Sequence, residues 1–405
     1  MTEKEYWLYI SRVKGLLSAR RKMLLEMLGT PEEVYKAREE VLRNIPLLED
    51  YQVEQLINYR RIDFEAEAER IRAKGIKFIT VDDREFPERL REIPDAPSFL
   101  FYRGELPDDN LPAVAVVGSR RCSIYGREMC LKFSSSLAQA GINIISGMAS
   151  GVDGFAHRGA IQAGGKTTAV LGCGVDVCYP SENKDIFEKL SHIHDIYGIY
   201  ENDLSFPKTN DKYDNPDRNT SGGKDDREIP KTNGGIVSEY YPGEKALPYN
   251  FPQRNRIISG LADILLVVEA GKKSGTFITV DHALEQGREI FAIPGRIGDT
   301  VSDGCNSLIK NGAGLASEPE DIIEVLKDKY TMLLKAEKKR KKTLGEALKG
   351  DEKKVYESLE IVPTQINEIA ERTEIAPGVL PTILIELELK GMIEEVGKNL
   401  YIKKQ

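Results

Sequence analysis

The sequence predicts an α/β protein in three parts, with a doubly wound parallel sheet in the middle. Three observations predict this. Strand–turn–helix units repeat from Pro107 to about Leu326, a helical periodicity precedes them, and a helix–helix–hairpin pattern follows them. At 405 residues the chain is also too long for one ordinary core.

Residues 1–105 read as a helical N-terminal domain. Trp7, Ile10, Val13, Leu16 and Leu17 make an apolar stripe, and Met23, Leu24, Met27 and Leu28 a second one that stops at Gly29. Thr30-Pro31-Glu32-Glu33 has the order of an N-cap, a proline at the first helical position and acids in the first turn. Val53, Leu56, Ile57, Phe64, Ala68 and Ile71 continue the pattern. Short helices with small loops suit either a helix-hairpin-helix or SAM-like unit or a plain packing domain.

Residues 106–328 change period. Strands are expected at Ala113–Val117, Ile142–Ile145, Thr167–Leu171, Gly235–Ser238, Asp263–Val268 and Glu289–Ile293, each beside a helix. This is a Rossmann-like pattern, with the sheet covered on both faces. The stretch 192–233 interrupts it. Rich in Asp, Asn, Lys, Pro and Gly, with few aliphatics after Ile199, it reads as a disordered insertion. A basic linker, 329–343, leads to residues 344–405. There Thr364–Ala370, a second helix near Val379–Leu389 and the segments Met392–Val396 and Leu400–Ile402 describe a winged helix. Its second helix carries Glu386 and Glu388 and a single lysine, so a protein contact is as good a reading as base recognition.

Composition narrows the function. Asp and Glu outnumber Lys and Arg by 65 to 57, for a net charge of −8, so any anion binding must depend on particular cations rather than a basic coat. No apolar run reaches the roughly 20 residues of a membrane span, and Met1–Tyr6 is polar, which predicts a cytoplasmic protein. The five cysteines show no zinc spacing, and His192-x-His194 lacks an evident third ligand, so neither metal nor cofactor is expected.

Glycine-rich turns follow successive strands: Gly118-Ser119-Arg120, Gly147–Asp153 and Gly172-Cys173-Gly174. In a doubly wound sheet these turns converge on the crevice where ligands bind. Glycines let backbone amides approach a phosphate, helix N-termini favour it, and Arg120 adds a permanent forked charge. No nucleotide fingerprint fits, because Gly165-Lys166-Thr167 begins a strand and lacks the first P-loop glycine. A second constellation is Pro252–Gly260. Arg254 and Arg256, two apart on a helix, point to different sides; one is expected to pair with an internal carboxylate such as Asp263 or Glu269, and the other to face the crevice. Lys272–Thr276 supplies amides and hydroxyls at another helix start.

These strings resemble a known family. Val117–Arg120, Ser146–Asp153 with Ala156-His157, Leu171–Asp176 with Tyr179-Pro180, Ser238–Tyr240, Phe251-Pro252 with Arg254–Ile258, Ser274–Thr276 with Gly287-Arg288, Phe291–Gly295 and Ser302–Asn306 are similar to DNA-processing protein A (DprA/Smf), in family order over most of 113–315. The insertion at 192–233 departs from the family. The resemblance implies a homodimer that binds single-stranded DNA, shields it and helps load the RecA recombinase in natural transformation. It implies a phosphate pocket of Ser119, Arg120, Gly147, Lys166, Arg254, Asn255 and Ser274-Gly275-Thr276, to which the turns and the arginine pair add Gly118 and Arg256.

The main rival is an enzyme of the lysine-decarboxylase-like nucleotide phosphoribohydrolases. Its Gly-Gly-x-Gly-Thr-x-x-Glu loop has a counterpart in Gly275-Thr276, but Thr279 stands where the catalytic Glu belongs. Asp153 and His157 are better read as a helix cap and a packing residue than as an acid–base pair. The chain is therefore expected not to be an enzyme. A transcription factor using the winged helix would lack basic residues where bases are read.

Overall fold

The computed structural model describes residues 1–191, 234–327, 330, 350–359, 364–373, 375–376, 378–389, 392–397 and 399–403. The insertion expected at 192–233, His192 and His194 with it, and nearly all of the linker at 329–343 lie outside the described residues.

The front begins as its sequence signals require. Helix α1 (Glu3–Ser11) starts at a capping box between Thr2 and Glu5, and α2 (Ser18–Leu28) stops at Gly29, whose φ of 96° excludes most side chains. Helix α3 (Pro31–Lys36) opens with Thr30 and Glu33 in a second box, and α4 (Glu39–Arg43), α5 (Asp50–Tyr59) and α6 (Phe64–Ala73) follow. Leu16 and Leu17 fall in the turn after α1 rather than on its stripe.

The remainder of this stretch is not helical. Strands β1 (Lys77–Thr80) and β2 (Phe99–Gly104) pair antiparallel, Ile79 opposite Leu100, on either side of the short α7 (Glu88–Arg91); β2 then pairs antiparallel with β6 (Gly234–Ser238). Phe99 and Phe101 point into one core and Leu100 into the other, as a strand's period of two demands. Trp7, Tyr9, Leu24, Leu56 and Phe64 of the front pack in the same core as Phe99, Phe101, Leu171 and Ile236 of the sheet. The molecule accordingly does not divide at residue 105. One compact unit comprises Met1–Ala138 and Ile142–Ile323, and a second Gln139–Gly141 and Glu324–Gln405.

The centre is a nine-stranded sheet in the order β1-β2-β6-β5-β4-β3-β7-β8-β9, with β3 (Ala113–Val117), β4 (Asn143–Ser146), β5 (Thr167–Val170), β7 (Ile264–Val267), β8 (Glu289–Ala292) and β9 (Gly314–Leu315). From β6 through to β9 all neighbours are parallel. Helices α8 (Ile124–Gln139), α9 (Val152–Gln162), α10 (Lys184–Ser191), α11 (Asn250–Gly260), α12 (Thr276–Glu285) and α13 (Asp303–Lys310) connect the strands. Every residue of β3, β4, β5 and β7 is buried, which explains the unbroken apolar runs of β3 and β7. The chain winds from β3 through β4 and β5 in one direction and from β7 through β8 in the other, so the switch point lies between β3 and β7.

A buried ion network ties the front to α11. Arg256 Nη2 lies 2.7 Å from Glu239 and its Nε 2.9 Å from Asp95. Arg21 bonds the other oxygen of Glu239 and lies over the Phe99 ring at 4.6 Å, while Ser18 bonds Asp95. Burial opposes the Arg256 charge, but Glu239 and Asp95 more than offset it and raise its pKa.

The second unit has helices Asp351–Ser358, Ile366–Thr373 and Leu380–Leu389, and an antiparallel sheet β10 (Thr364–Gln365), β12 (Leu400–Lys403), β11 (Ile393–Gly397), in that order. Val355, Ile369, Leu384, Leu387 and Ile393 form its core. This is the expected winged helix. No helix among the described residues is long and apolar enough to cross a membrane.

Glu239 sits between two buried arginines, and Glu239→Gln should destabilise the full chain by about 3–5 kcal/mol in urea unfolding, as for a buried pair that loses one partner. A loss below about 1 kcal/mol, the range of exposed pairs, would show that the network does not hold the front to α11.

Candidate nucleic-acid interface

At the switch point the loops after β3, β4 and β7 and one face of α11 enclose a cavity of about 520 Å³. Gly118, Ser119, Arg120 and Arg121 come from the β3 loop, Ala149 from the β4 loop, Asp153 from the first turn of α9, and Ser274, Gly275 and Thr276 from the start of α12. Helix α11 contributes Phe251, Arg254, Asn255 and Ile258. Their spacing of i, i+3, i+4 and i+7 is one helical face.

The β3 loop is fixed by backbone bonds. Ser119 N donates to Glu269 O at 2.7 Å, and Val152 N donates to Ser119 O at 3.1 Å. A Cβ on Gly118 would lie 2.9 Å from Glu269 O, so this close approach requires glycine. Arg120, exposed at the loop tip, lies over the Phe251 ring at 5.2 Å, and Tyr179 packs against the same ring at 5.6 Å. Opposite, Ser274 Oγ and Thr276 Oγ1 lie 2.8 Å apart at the N-terminus of α12, and nothing lies within 4 Å of where a Gly275 side chain would begin. The cavity thus presents an exposed guanidinium, a ring and the positive end of α12, where Thr276 N, Phe277 N and Ile278 N are already met within the turn by Ser274 and Gly275.

Arg254 plays a different part. It is 3% exposed, donates to Gly147 O at 2.8 Å and to Val170 O, and faces Asp153. Burial lowers its pKa, opposed by Asp153, while burial raises that of Asp153, opposed by Arg254. Gly147 is the backbone this guanidinium grips, where a Cβ would come 2.5 Å from its Nη2. Asn255 accepts from Arg254 Nε at 3.3 Å and lines the cavity.

Two predicted residues lie elsewhere. Lys166 precedes β5, at the end of the sheet away from the cavity, roughly 13 Å by strand length alone from the loops that form it. Arg256 is 2% exposed and held by Asp95 and Glu239. The carboxylates expected for the inward arginine have other partners. Asp263 meets Arg89 at 3.2 Å, and Glu269 accepts from Ser123 N at 3.0 Å. Phe251, Tyr179 and Arg121 were not singled out as site residues; the α11 face was the signal that would have found Phe251.

The groups that suggested acid–base chemistry are structural. His157 is buried, with Nδ1 2.7 Å from Thr167 Oγ1, and burial lowers its pKa to about 3. Asp153 lies within the first turn of α9 rather than capping it, and accepts from Ala149 N at 3.3 Å. Burial pushes the thiols of Cys173 and Cys305 up to about 12 and that of Cys178 to about 11, so none is a thiolate nucleophile near neutral pH.

The comparison with known proteins agrees with this arrangement. The family profile described as DNA recombination-mediator protein A matches residues 77–220 and 216–327, and a DprA winged helix domain profile matches 339–397. The chain belongs to the DprA/Smf family. DNA processing protein DprA of Streptococcus pneumoniae is 39% identical over 61% of this chain and 72% of its own, and Protein Smf of Escherichia coli 34% over 85% and 82%. The X-ray structure of the Streptococcus pneumoniae DprA matches with a TM-score of 0.59 and 33% identity, covering 80% of this chain and 98% of that one. The match to the first family profile begins at Lys77, where the sheet begins.

The buried imidazole has a measurable consequence. Its folded pKa lies below the unfolded value of about 6.5, so its stabilising effect is complete above that pH and is lost as pH falls toward 3. Going from about pH 7 to about pH 5 should cost the wild type about 2 kcal/mol more than His157→Gln in urea unfolding. Equal losses would mean that His157 titrates normally.

Proposed function

We propose that this DprA/Smf-family chain binds single-stranded DNA in the switch-point crevice, shields it and delivers it to the RecA recombinase, acting as a homodimer and catalysing no reaction of its own. The observation that carries the DNA reading is Arg120 over Phe251, facing the start of α12. A guanidinium and the positive end of a helix suit a phosphate, and the ring suits a base already free of its stack. That combination favours a single strand over a duplex. The dimer and the delivery to RecA follow from family membership.

The absence of catalysis is supported by the groups in the crevice. Thr279 lines it where the rival hydrolases place a glutamate, and His157 and Asp153 are held by neighbours. In the winged helix the exposed positions of Leu380–Leu389 include Thr382, Ile385, Glu386 and Glu388, none of them cationic, which favours a protein contact over a base contact.

Fluorescence anisotropy of labelled single strands and duplexes across a salt series tests the reading. Wild type should prefer the single strand, with a log–log salt slope of roughly −0.7 per phosphate neutralised. Arg120→Ala should weaken binding and flatten that slope, and Phe251→Ala should cost about 1–3 kcal/mol with the slope kept. Lys166→Ala should change neither. No binding by wild type at low salt, or equal affinity for duplex, would overturn the proposal.

A further inference from the structure

We infer that the bound strand continues out of the crevice into a second groove, where Tyr125 stacks a base and Arg296 meets a phosphate. The inference rests on the single-strand reading above and extends it to a site outside the crevice.

The groove is a separate cavity of about 390 Å³ between the start of α8 and the loop after β8, lined by Ser123, Tyr125, Pro294, Arg296, Asp299 and Val301 among others. It opens at the same end of the sheet as the crevice, because both are built on loops that follow parallel strands. The two are also neighbours along the chain. Arg121 lines the first and Ser123 the second, which puts their Cα atoms under about 8 Å apart. Stacked nucleotides advance about 3.4 Å each along a strand, so a step or two of DNA spans the gap. The loop after β8 and the helix that follows it lean on the turn after β7: a Cβ on Gly271 would lie 2.9 Å from Thr300 O, and Gly304 N, in the first turn of α13, donates to Ala270 O at 2.8 Å. Crevice and groove therefore share one rim.

The residues suit a strand already anchored nearby. The Tyr125 ring is 43% exposed, yet its hydroxyl donates to Pro294 O at 2.8 Å, so it is presented to solvent in one fixed orientation. A fixed ring loses little entropy when a base stacks on it. Ile124 and Ile297, the chain neighbours of Tyr125 and Arg296, are also exposed, at 78% and 94%. Arg296 is exposed and, among the described residues, makes no ion pair, as is true of Arg120 and Arg121. Arg254 and Arg256, by contrast, are committed to carbonyls and carboxylates. Asp299 also lines the groove, and its charge opposes a phosphate beside Arg296.

The test is anisotropy with oligothymidylates of about 4 and about 16 nucleotides, bracketing the usual site sizes of single-strand binders. With the full chain, Tyr125→Ala should weaken the long strand about tenfold and leave the short one unchanged, while Tyr125→Phe, which keeps the ring but loses the bond to Pro294 O, should weaken the long strand less than Tyr125→Ala does. Arg296→Ala should reduce the salt slope for the long strand alone by about 0.7, and Asp299→Asn should tighten that strand. Unchanged long-strand binding in both Tyr125→Ala and Arg296→Ala would overturn the inference and leave the crevice reading intact. Equal weakening of both lengths by Tyr125→Ala would also overturn it, since the residue would then act through the crevice loop. Failure of wild type to bind either length would sink the single-strand reading itself.

Discussion

The site depends on the grip of one buried guanidinium. Arg254 reaches from α11 to the carbonyl that follows β4 and to the one that ends β5, and so holds two strand ends against the helix that carries Phe251 and Asn255. Backbone carbonyls at strand ends have no ladder partner, and leaving them buried and unmet costs about as much as a lost hydrogen bond. Arginine suits the position because it keeps its charge under burial and carries donors enough for both carbonyls. Asp153 faces the same group from the start of α9. The two pKa shifts run in opposite directions because burial disfavours both charges, while each charge favours the other.

Arg256, two residues along, faces the other side of the helix and does an equivalent job inward. Through Glu239 and Asp95 it connects α11 to Arg21 and Ser18 of the front helices. A helix held on both sides presents Phe251 in a fixed place. This explains why the helical front shares a core with the sheet instead of standing apart as a domain. It also explains how an acidic chain offers an anion site. The cations that matter are few, and they are those with no carboxylate partner among the described residues, Arg120 and Arg121 foremost among them.

Much of this was legible in the sequence, and the misses have physical reasons. The parallel strands were readable because burial on both faces demands unbroken apolar runs such as Ala113–Val117, and the observed ends differ by about a residue. Strands β1 and β2 were missed because β2 is held by β6, Gly104 opposite Gly235 and 131 residues before it, and β1 only by β2, while Phe78, Phe99 and Phe101 are apolar residues that local pattern alone does not assign to a sheet. The turns after β3 and β4 contribute to the crevice because strand direction fixes where such turns go, whereas Gly172-Cys173-Gly174 is not part of its lining and packs against the backbone of Tyr241 and Gly243. Lys166 was misplaced against that same rule: it begins a strand, so it belongs at the opposite end. The choice between Arg254 and Arg256 needed the tertiary partners, since either could have turned inward. Phe251 needed only the step from a single motif to a helix face.

The crevice shares its scaffold with nucleotide-binding enzymes. Glycine turns, a helix N-terminus and a switch point would hold a nucleotide's phosphate equally well in an enzyme. Hydrolysis needs in addition a base with a proton to take and a place to put it, within hydrogen-bond reach of the substrate. Here Thr279 offers a hydroxyl, His157 is kept neutral by burial with its Nδ1 on Thr167 Oγ1, and Asp153 is turned to Arg254 and its own loop. A stacking ring beside a free guanidinium, by contrast, does not depend on which base arrives, because every base has a face. Holding a strand without discriminating its bases is what the proposed function requires, and Arg120 suits it because, among the described residues, it makes no ion pair.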